Sequence, residues 1–392
     1  MASSTTTNNN NNNHNKKYWN RETSQKEQYE SSKPIIQNAN IICISDVHDV
    51  HNSMLYTTTT KTTNNNGWTS SSSFLPKGSK VLCVGTTISD FNIEQLKQQK
   101  ANVIFISHSK SARNILDTLL QSIPSIQWIH SRSAGIDSIT SPILSSYTTS
   151  NNNSKKNIVV TNAKGSFSST LAEYTMMAIS YFAKDVPRLI QQKQNKHWSK
   201  YNVKEIRDST LGIIGYGDIG YACATLAKVY GMNIIVQRRN PSLSKDDPLV
   251  DMVYGNGQES INTIMSSCDY ILISAPLTND TRGMINKEAF EHVNPNAVII
   301  NVGRGPIIDE DAMIEALKNG KLKGAALDVT AVEPLPMDNE LWELDNVLLS
   351  PHNMDQTETF MAEATEFFVK ENLPRFVRGE ELLNPVDPAA GY

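Results

Sequence analysis

Three polar side chains in the second half of the chain could together carry out acid–base chemistry on a carbonyl group. Arg304 lies in "NVGRGPIID", Glu333 in "LDVTAVEP" and His352 in "SPHNMD", and each follows a short apolar stretch. An arginine binds carboxylate and carbonyl oxygens, and a histidine held by a glutamate keeps a proton available near neutral pH. This combination suits hydride transfer to a 2-keto acid, so we predict that Arg304, Glu333 and His352 are catalytic residues.

A glycine-rich turn lies upstream, in "LGIIGYGDIG", between an apolar stretch and a helix-forming segment. Gly215 allows a tight turn, Gly217 allows the backbone to approach a pyrophosphate, and Gly220 allows the helix to pack against the strand. The amides of Asp218 and Ile219 begin the helix, whose positive end favours phosphate. This pattern predicts a dinucleotide site.

The next strand, in "IIVQRRNP", ends in two arginines where a site for NAD usually has an acid. Arg238 lies 18 residues after Gly220, close to the spacing at which a carboxylate would bind the ribose hydroxyls. A guanidinium instead forms paired, charged hydrogen bonds with a 2′-phosphate. Arg238 and Arg239 therefore predict NADP(H), with NAD as the second choice. The alternative is that both arginines belong to a solvated strand end.

The composition of the chain excludes several other classes of function. The 392 residues carry a formal net charge of −4 and no apolar run of about 20 residues, so we expect no nucleic-acid and no membrane partner. The four cysteines are widely separated and have no histidine at metal-ligand spacing, which predicts buried thiols, no metal site and a reducing compartment. We expect a soluble, cytoplasmic protein. The Ser/Thr-rich, acid-poor N-terminus leaves import into a plastid or mitochondrion as a weaker alternative.

Apolar strand-like stretches alternate with amphipathic helical segments, which predicts an α/β protein with parallel sheets. We expect two Rossmann-like or flavodoxin-like domains, with the nucleotide-binding domain inserted into a discontinuous substrate (catalytic) domain. The expected divisions are a disordered polar tail at 1–35, substrate-domain segments at 36–165 and 353–392, a low-complexity loop at 57–73, and an NAD(P)-binding Rossmann domain at 166–352.

Two long helices are expected to connect these divisions. The apolar spacing predicts one continuous helix over 168–194, with Ser169 as its N-cap. Another amphipathic helix is expected within 355–384 and could fold back on the first domain.

Several stretches together resemble the D-isomer-specific 2-hydroxyacid dehydrogenase family, over about residues 80–385. They are "RSAGIDSI", "LAEYTMMAI", "GIIGYGDIG", "APLTNDTRGMI", "NVGRGPIIDEDAMIEAL", "GAALDVTAVEP" and "SPHN". The resemblance implies that Arg304, Glu333 and His352 are the catalytic residues and that Asp328 binds the nicotinamide carboxamide. It implies a substrate site that includes the backbone amides of one loop, formed by Ser133, Ala134, Gly135, Arg304 and His352. It implies a cofactor site formed by Gly215, Gly217, Asp218, Ile219, Gly220, Arg238, Arg239, Pro276, Thr281, Val302, Gly303, Arg304, Asp328 and His352.

Within this family, arginines at the second strand end resemble those of the NADP-preferring glyoxylate and hydroxypyruvate reductases. We therefore expect an oxidoreductase acting on CH–OH groups, which reduces glyoxylate, hydroxypyruvate or a similar small 2-keto acid with NADPH, as a homodimer. The alternatives are a non-catalytic, nucleotide-sensing protein like the family's corepressors, and an NAD-dependent dehydrogenase of the phosphoglycerate type. Residues 353–355 read Asn-Met-Asp where many members have a small, glycine-containing segment, which puts the substrate in question more than the reaction.

Overall fold

The structure is a computed structural model that describes residues 35–56, 74–148 and 157–389. It contains two parallel β-sheets, one of five and one of seven strands, each covered by helices. This confirms the predicted fold class of two α/β domains. The predicted low-complexity loop, and the predicted polar tail apart from residue 35, lie outside the described residues.

The first sheet is formed by five short, apolar strands. They are β1 (Asn40–Ile44), β2 (Lys80–Gly85), β3 (Val103–Ile106), β4 (Trp128–Ser131) and β5 (Val159–Asn162). The strand order is β2-β1-β3-β4-β5, and all pairs are parallel. Every residue of β3 and β4 is buried, as expected for central strands with both faces covered. The helices on one face are α1 (Ile93–Gln98), α2 (Ala112–Ser122) and α3 (Pro142–Thr148).

The connection to the second sheet differs from the predicted single helix. The chain forms α4 (Ser168–Ala183) and α5 (Val186–Gln194), separated by Asp185 with a φ of +52°. Pro187 explains the break, because it lacks an amide hydrogen and its ring would clash with the carbonyl one turn earlier. The prediction of Ser169 as N-cap is also wrong. The cap position belongs to Phe167, whose ring packs with Ala163 and Ala364, so tertiary packing decides where the helix begins.

The second sheet has seven parallel strands in the order β12-β11-β10-β9-β6-β7-β8. In chain order they are β6 (Thr210–Ile214), β7 (Asn233–Gln237), β8 (Met252–Tyr254), β9 (Tyr270–Ile273), β10 (Val298–Asn301), β11 (Gly324–Leu327) and β12 (Val347–Leu349). The three-residue edge strand β8 was not predicted from the sequence, because it is only partly buried and has no strong apolar signal. The intervening helices are α6 (Asp218–Val229), α7 (Gln258–Ser267), α8 (Lys287–Glu291) and α9 (Glu310–Lys318).

The C-terminal segment returns to the first sheet. It forms α10 (Phe360–Phe367), a π-helical stretch (Phe368–Asn372) and α11 (Leu373–Val377). The ring of Phe368 lies 4.8 Å from that of Phe105 in β3 and 5.0 Å from that of Trp128 in β4, measured between centroids. These contacts agree with a substrate domain built from both ends of the chain, and its boundaries stay a prediction.

No helix in 35–56, 74–148 or 157–389 is long and apolar enough to cross a membrane. Over the same ranges, no group of three or more His, Cys, Asp or Glu side chains is arranged to hold a metal ion.

Candidate active site

The glycine-rich turn between β6 and α6 has the geometry of a phosphate-binding turn. Gly215 has a φ of +94°, and a side chain there would collide with the backbone of Ala275. At Gly220 a Cβ would lie 3.0 Å from Cγ2 of Ile213, a very tight contact, so glycine favours the close packing of α6 on β6. A Cβ at Gly217 would meet no atom within 4 Å, because it faces open space in front of the helix N-terminus. The turn therefore fits a bound pyrophosphate.

The two arginines after β7 lie beside this turn. The Nη1 of Arg238 donates a hydrogen bond to Oγ of Ser244 at 2.7 Å, and its guanidinium carbon lies 6.0 Å from the ring centroid of Tyr216. Arg238 is half-buried and Arg239 is exposed. The structure thus brings Arg238 to the glycine turn, because Tyr216 belongs to that turn.

The remaining predicted cofactor residues follow the neighbouring strands β9 and β10. The hydroxyl of Thr281 donates to the carbonyl of Pro276 at 2.6 Å and closes the loop after β9. Val302 is buried, and a Cβ at Gly303 would lie 2.8 Å from the carbonyl oxygen of Ala275. These residues therefore lie at the same sheet edge as the glycine turn.

His352 and Glu333 form the hydrogen-bonded pair expected from the sequence. The Nδ1 of His352 lies 2.7 Å from Oε2 of Glu333, and Oε1 of Glu333 accepts from the amide of Thr330 at 3.1 Å. The hydrogen bond to Glu333 raises the pKa of His352 above its ordinary value of 6.5, against the opposing effects of burial and of the charge of Arg304. Burial is the largest single influence and raises the pKa of Glu333. The bond to His352, its charge, the amide of Thr330 and the charge of Arg304 together outweigh burial, so this pKa lies below its usual range. The pair is thus built to keep the imidazole protonated near neutral pH.

Arg304 faces the loop of residues 133–135, which follows β4 in the other domain. Its Nε and Nη2 donate to Oδ1 of Asp137 at 3.3 and 3.0 Å, and its Nη1 donates to the carbonyl of Gly303 at 2.8 Å. A side chain at Gly135 would collide with the guanidinium. Burial is the largest single influence and raises the pKa of Asp137, but the charge and hydrogen bonds of Arg304, with smaller contributions, together outweigh burial and lower the pKa. Asp137 was not among the site residues predicted from the sequence, although it lies in the stretch "RSAGIDSI".

The 133–135 loop presents backbone donors beside Arg304. Within the described part of the chain, the amides of Ala134 and Gly135 donate to no protein acceptor. The amide of Ser133 makes a long bond of 3.3 Å to Oγ of Ser131, and Asn162 holds the loop through the carbonyl of Ala134 at 2.5 Å. Two available amides next to a guanidinium form a site for an anion such as a carboxylate.

Comparison with known proteins decides the family. Residues 176–353 match the family model described as D-isomer specific 2-hydroxyacid dehydrogenase, NAD binding domain. The glyoxylate reductase of Korarchaeum cryptofilum is 33% identical over 235 residues, which cover 58% of this chain and 68% of that protein. This chain belongs to the D-isomer-specific 2-hydroxyacid dehydrogenase family. Enzymes of the family are oxidoreductases that act on the CH–OH group of small hydroxy acids and contain an NAD(P)-binding domain.

Other relatives differ in length or in identity. The D-3-phosphoglycerate dehydrogenase of Methanocaldococcus jannaschii is 37% identical over 235 residues, which cover 59% of this chain but 44% of that protein, so the chain spans less than half of its length. A family member from Xanthobacter autotrophicus, solved with NADPH and MES, has a TM-score of 0.71 and 24% identity over 91% of this chain and 100% of that chain. The NADPH-dependent glyoxylate/hydroxypyruvate reductase of Sinorhizobium meliloti, solved with NADP and sulfate, has a TM-score of 0.65 and 24% identity over 81% of this chain and 93% of that chain. These two structures share the fold.

Asp328, the family's expected partner of the nicotinamide carboxamide, is buried and holds the segment after His352. Its Oδ1 accepts from Oγ of Ser350 at 2.7 Å and from the amide of Asn353 at 3.1 Å, with a longer contact of 3.4 Å from the amide of Met354. In this structure Asp328 therefore fixes backbone next to His352, and its contact with a cofactor stays a prediction.

Asp355 was not among the catalytic, substrate-binding or cofactor-binding residues predicted from the sequence. It lies three residues after His352, and its Oδ1 is buried without a hydrogen-bond partner among the described residues. Burial raises its pKa, and the charges of His352 and Arg304 oppose this rise. The sequence showed an unusual segment at 353–355, but only the structure shows that one oxygen of this half-buried carboxyl group has no hydrogen-bond partner among the described residues.

Proposed function

We propose that the protein is an NAD(P)-dependent 2-hydroxyacid dehydrogenase that reduces glyoxylate, hydroxypyruvate or a similar small 2-keto acid with NADPH. The observation that carries the proposal is a contact between the domains, in which the residues predicted to be catalytic lie against the loop predicted to bind the substrate. The His352–Glu333 pair and Arg304 follow strands of the second sheet, and Arg304 contacts the amide-rich 133–135 loop of the first. The relative from Korarchaeum cryptofilum, a glyoxylate reductase, supports this substrate class.

Substrate binding is assigned to Arg304 and to the amides of the 133–135 loop. The substrate carboxylate would take over the Nε and Nη2 edge of Arg304 that Asp137 holds through a single oxygen. A bidentate carboxylate makes two parallel bonds with a guanidinium, which favours this exchange. The same guanidinium then lies beside the keto oxygen and stabilises the negative charge that develops on it.

Proton transfer is assigned to His352. Its Nδ1 is engaged by Glu333, so its Nε2 is the atom left to donate a proton to the substrate's keto oxygen. Glu333 orients the ring and stabilises its charged form. The bound nicotinamide supplies the hydride for this reduction.

The cofactor is assigned to the glycine turn and its neighbours. The N-terminal amides of α6, at Asp218 and Ile219, would bind the pyrophosphate, with Gly215, Gly217 and Gly220 shaping the turn. Arg238 and Arg239 would bind the 2′-phosphate of NADPH. The nicotinamide side is assigned to the residues after the neighbouring strands, which are Pro276, Thr281, Val302, Gly303, Arg304, Asp328 and His352. The NADPH and NADP found in the two solved relatives support this choice.

The test is a set of initial rates for the purified full chain. NADPH and NADH are each combined with glyoxylate, hydroxypyruvate, pyruvate and 3-phosphohydroxypyruvate, and cofactor oxidation is followed by absorbance. We expect the highest kcat/KM with NADPH and one of the two unphosphorylated acids, glyoxylate or hydroxypyruvate. Nucleotide binding without turnover of any acid would instead favour a nucleotide-sensing protein. Preference for the phosphorylated acid with NADH would favour the phosphoglycerate type, to which the 37% identical relative belongs.

We also propose that the enzyme is a homodimer, associating through the nucleotide-binding domain, and that it works in the cytoplasm. Light scattering coupled to size-exclusion chromatography measures the first, with twice the 43.5 kDa chain mass as the expected value. Localisation of a fluorescent fusion of the full chain tests the second, and accumulation in a plastid or mitochondrion would contradict it.

A further inference from the structure

The segment after His352 is held in place from two sides. The carboxylate of Asp328 accepts from the amide of Asn353 at 3.1 Å, and the hydroxyl of Thr170 in α4 donates to the carbonyl of Met354 at 2.9 Å. Asp355 follows directly, so its backbone position is set by both the strand end and the helix between the domains. A side chain on such a support is suited to recognise a ligand, because its position does not have to be organised on binding.

The carboxyl group of Asp355 is costly for the fold as it stands. Its Oδ1 is buried and has no hydrogen-bond partner among the described residues. Leaving a buried carboxylate oxygen unpaired opposes folding, and native structures keep few such groups. The imidazole of His352 does not bond to this oxygen: its Nδ1 is bonded to Glu333, and Oδ1 of Asp355 accepts from no described group. The unpaired oxygen thus marks a place where a donor is missing.

The charges of the proposed reaction site also act on the carboxyl group of Asp355. Burial raises the pKa of Asp355, while the positive charges of His352 and Arg304 lower it and the negative charge of Asp328 adds to the rise. Asp355 lies three residues after His352, on the segment that Asp328 anchors, so it follows the same strand end as the proposed proton donor. A substrate bound at this strand end can supply the missing donor.

We propose that Asp355 is a specificity-determining residue that accepts a hydrogen bond from a donor on carbon 3 of the 2-keto acid. The inference rests on the proposed reductase function. It narrows the substrate class to keto acids with a hydroxyl or ammonium group at carbon 3, such as hydroxypyruvate, over glyoxylate and pyruvate. The same carboxylate repels a second anionic group, so it disfavours keto acids that carry a phosphate or a further carboxylate.

The experiment compares two substrate ratios in the cofactor-supplied enzyme. For the wild type we expect kcat/KM for hydroxypyruvate to exceed that for pyruvate, which differs only in lacking the hydroxyl. In Asp355→Ala this ratio falls about tenfold, the effect of one charge-assisted hydrogen bond. In Asp355→Asn, which keeps the size of the side chain, the ratio of 3-phosphohydroxypyruvate to hydroxypyruvate rises about tenfold because the repulsion is lost. Asp311→Asn, at an exposed position in α9, is the matched control and leaves both ratios unchanged.

A binding measurement separates this inference from the proposed function. D-glycerate and D-lactate are titrated by calorimetry into the protein saturated with NADPH, where no reaction takes place. We expect tighter binding of D-glycerate to the wild type and loss of that preference in Asp355→Ala, even if no keto acid is turned over. Equal binding of the two acids to the wild type, or an unchanged preference in the Ala variant, overturns the assignment of Asp355.

Discussion

Two arginines lie on either side of the 133–135 loop and differ in how their charges are used. Arg132 is 4% exposed, and its guanidinium donates to Oδ2 of Asp49 at 2.5 Å and to Oδ1 of Asn52 at 2.6 Å. Arg304 is 28% exposed and shares one oxygen of Asp137, a side chain that is itself 53% exposed. Arg132 is enclosed by its partners, whereas Arg304 has a partner, Asp137, that a ligand can replace.

The two environments distinguish a charge that supports the fold from one that is available for chemistry. Removing one member of a buried ion pair leaves the other charge unpaired away from water, which costs about 3–5 kcal/mol. A partly exposed pair contributes about 0–1 kcal/mol, so its members can exchange partners at little cost. By this criterion Arg132 holds the first domain together next to the loop, while Arg304 is free to bind a substrate carboxylate.

The largest expected effect is on stability, from Arg132→Ala. Because Asp49 is left with little access to water, we expect the free energy of unfolding to fall by about 3–5 kcal/mol, measured by urea denaturation. Arg304→Ala is the matched control, with an expected change of about 1 kcal/mol or less. Equal losses in the two variants would contradict the distinction between the two arginines.

Arg304→Lys tests the other half of the comparison, which is the role of the Arg304 guanidinium in catalysis. An ammonium cannot present the paired, planar donors of a guanidinium, so we expect kcat/KM to fall on the order of 100-fold with little change in stability. Initial rates over a range of substrate concentrations provide the measurement. Wild-type activity in this variant would mean that Arg304 does not clamp the carboxylate.

A third arginine, Arg238, extends the comparison to the cofactor. It is half-buried, like a residue that supports structure, yet its Nη1 donates to the neutral hydroxyl of Ser244. If it binds a 2′-phosphate, Arg238→Asp lowers the ratio of kcat/KM for NADPH to that for NADH by about tenfold or more. The control is Arg207→Asp, at an exposed position before β6. A ratio that does not change in Arg238→Asp would make this arginine a structural residue like Arg132.

The smallest expected effect is a shift of the pH profile of kcat/KM. It tests whether Glu333 keeps His352 protonated for proton transfer. The reduction needs protonated His352, so kcat/KM falls as the pH rises through the pKa of His352. The bond to Glu333 raises that pKa above 6.5, so kcat/KM begins to fall at a correspondingly higher pH. In Glu333→Gln the bond loses its charge, so the descending limb moves to lower pH. An unmoved limb would show that another group controls the proton.

Much of the second domain could be predicted from the sequence because its signals are local. The glycine spacing of the 215–220 turn, the apolar strands and the polar residues at their ends are each encoded within about thirty residues. Parallel strands align their carboxyl ends, so the approach of Glu333 to His352 follows from topology. The helix break before Pro187 was also encoded locally but was missed, since its apolar spacing continues across the break.

Partners that come from distant parts of the chain are determined only by the tertiary structure. Asp137 contacts Arg304 across 167 residues, and Asn52 contacts Arg132 across 80, and no periodicity or spacing predicts such pairs. Nor does an aspartate at position 355 reveal by itself whether its carboxyl is solvated or buried without a donor. The chain alone determined which chemical groups are present and at which strand ends they lie. Their charge state and availability depend on burial and on partners, which exist only once the two domains have packed.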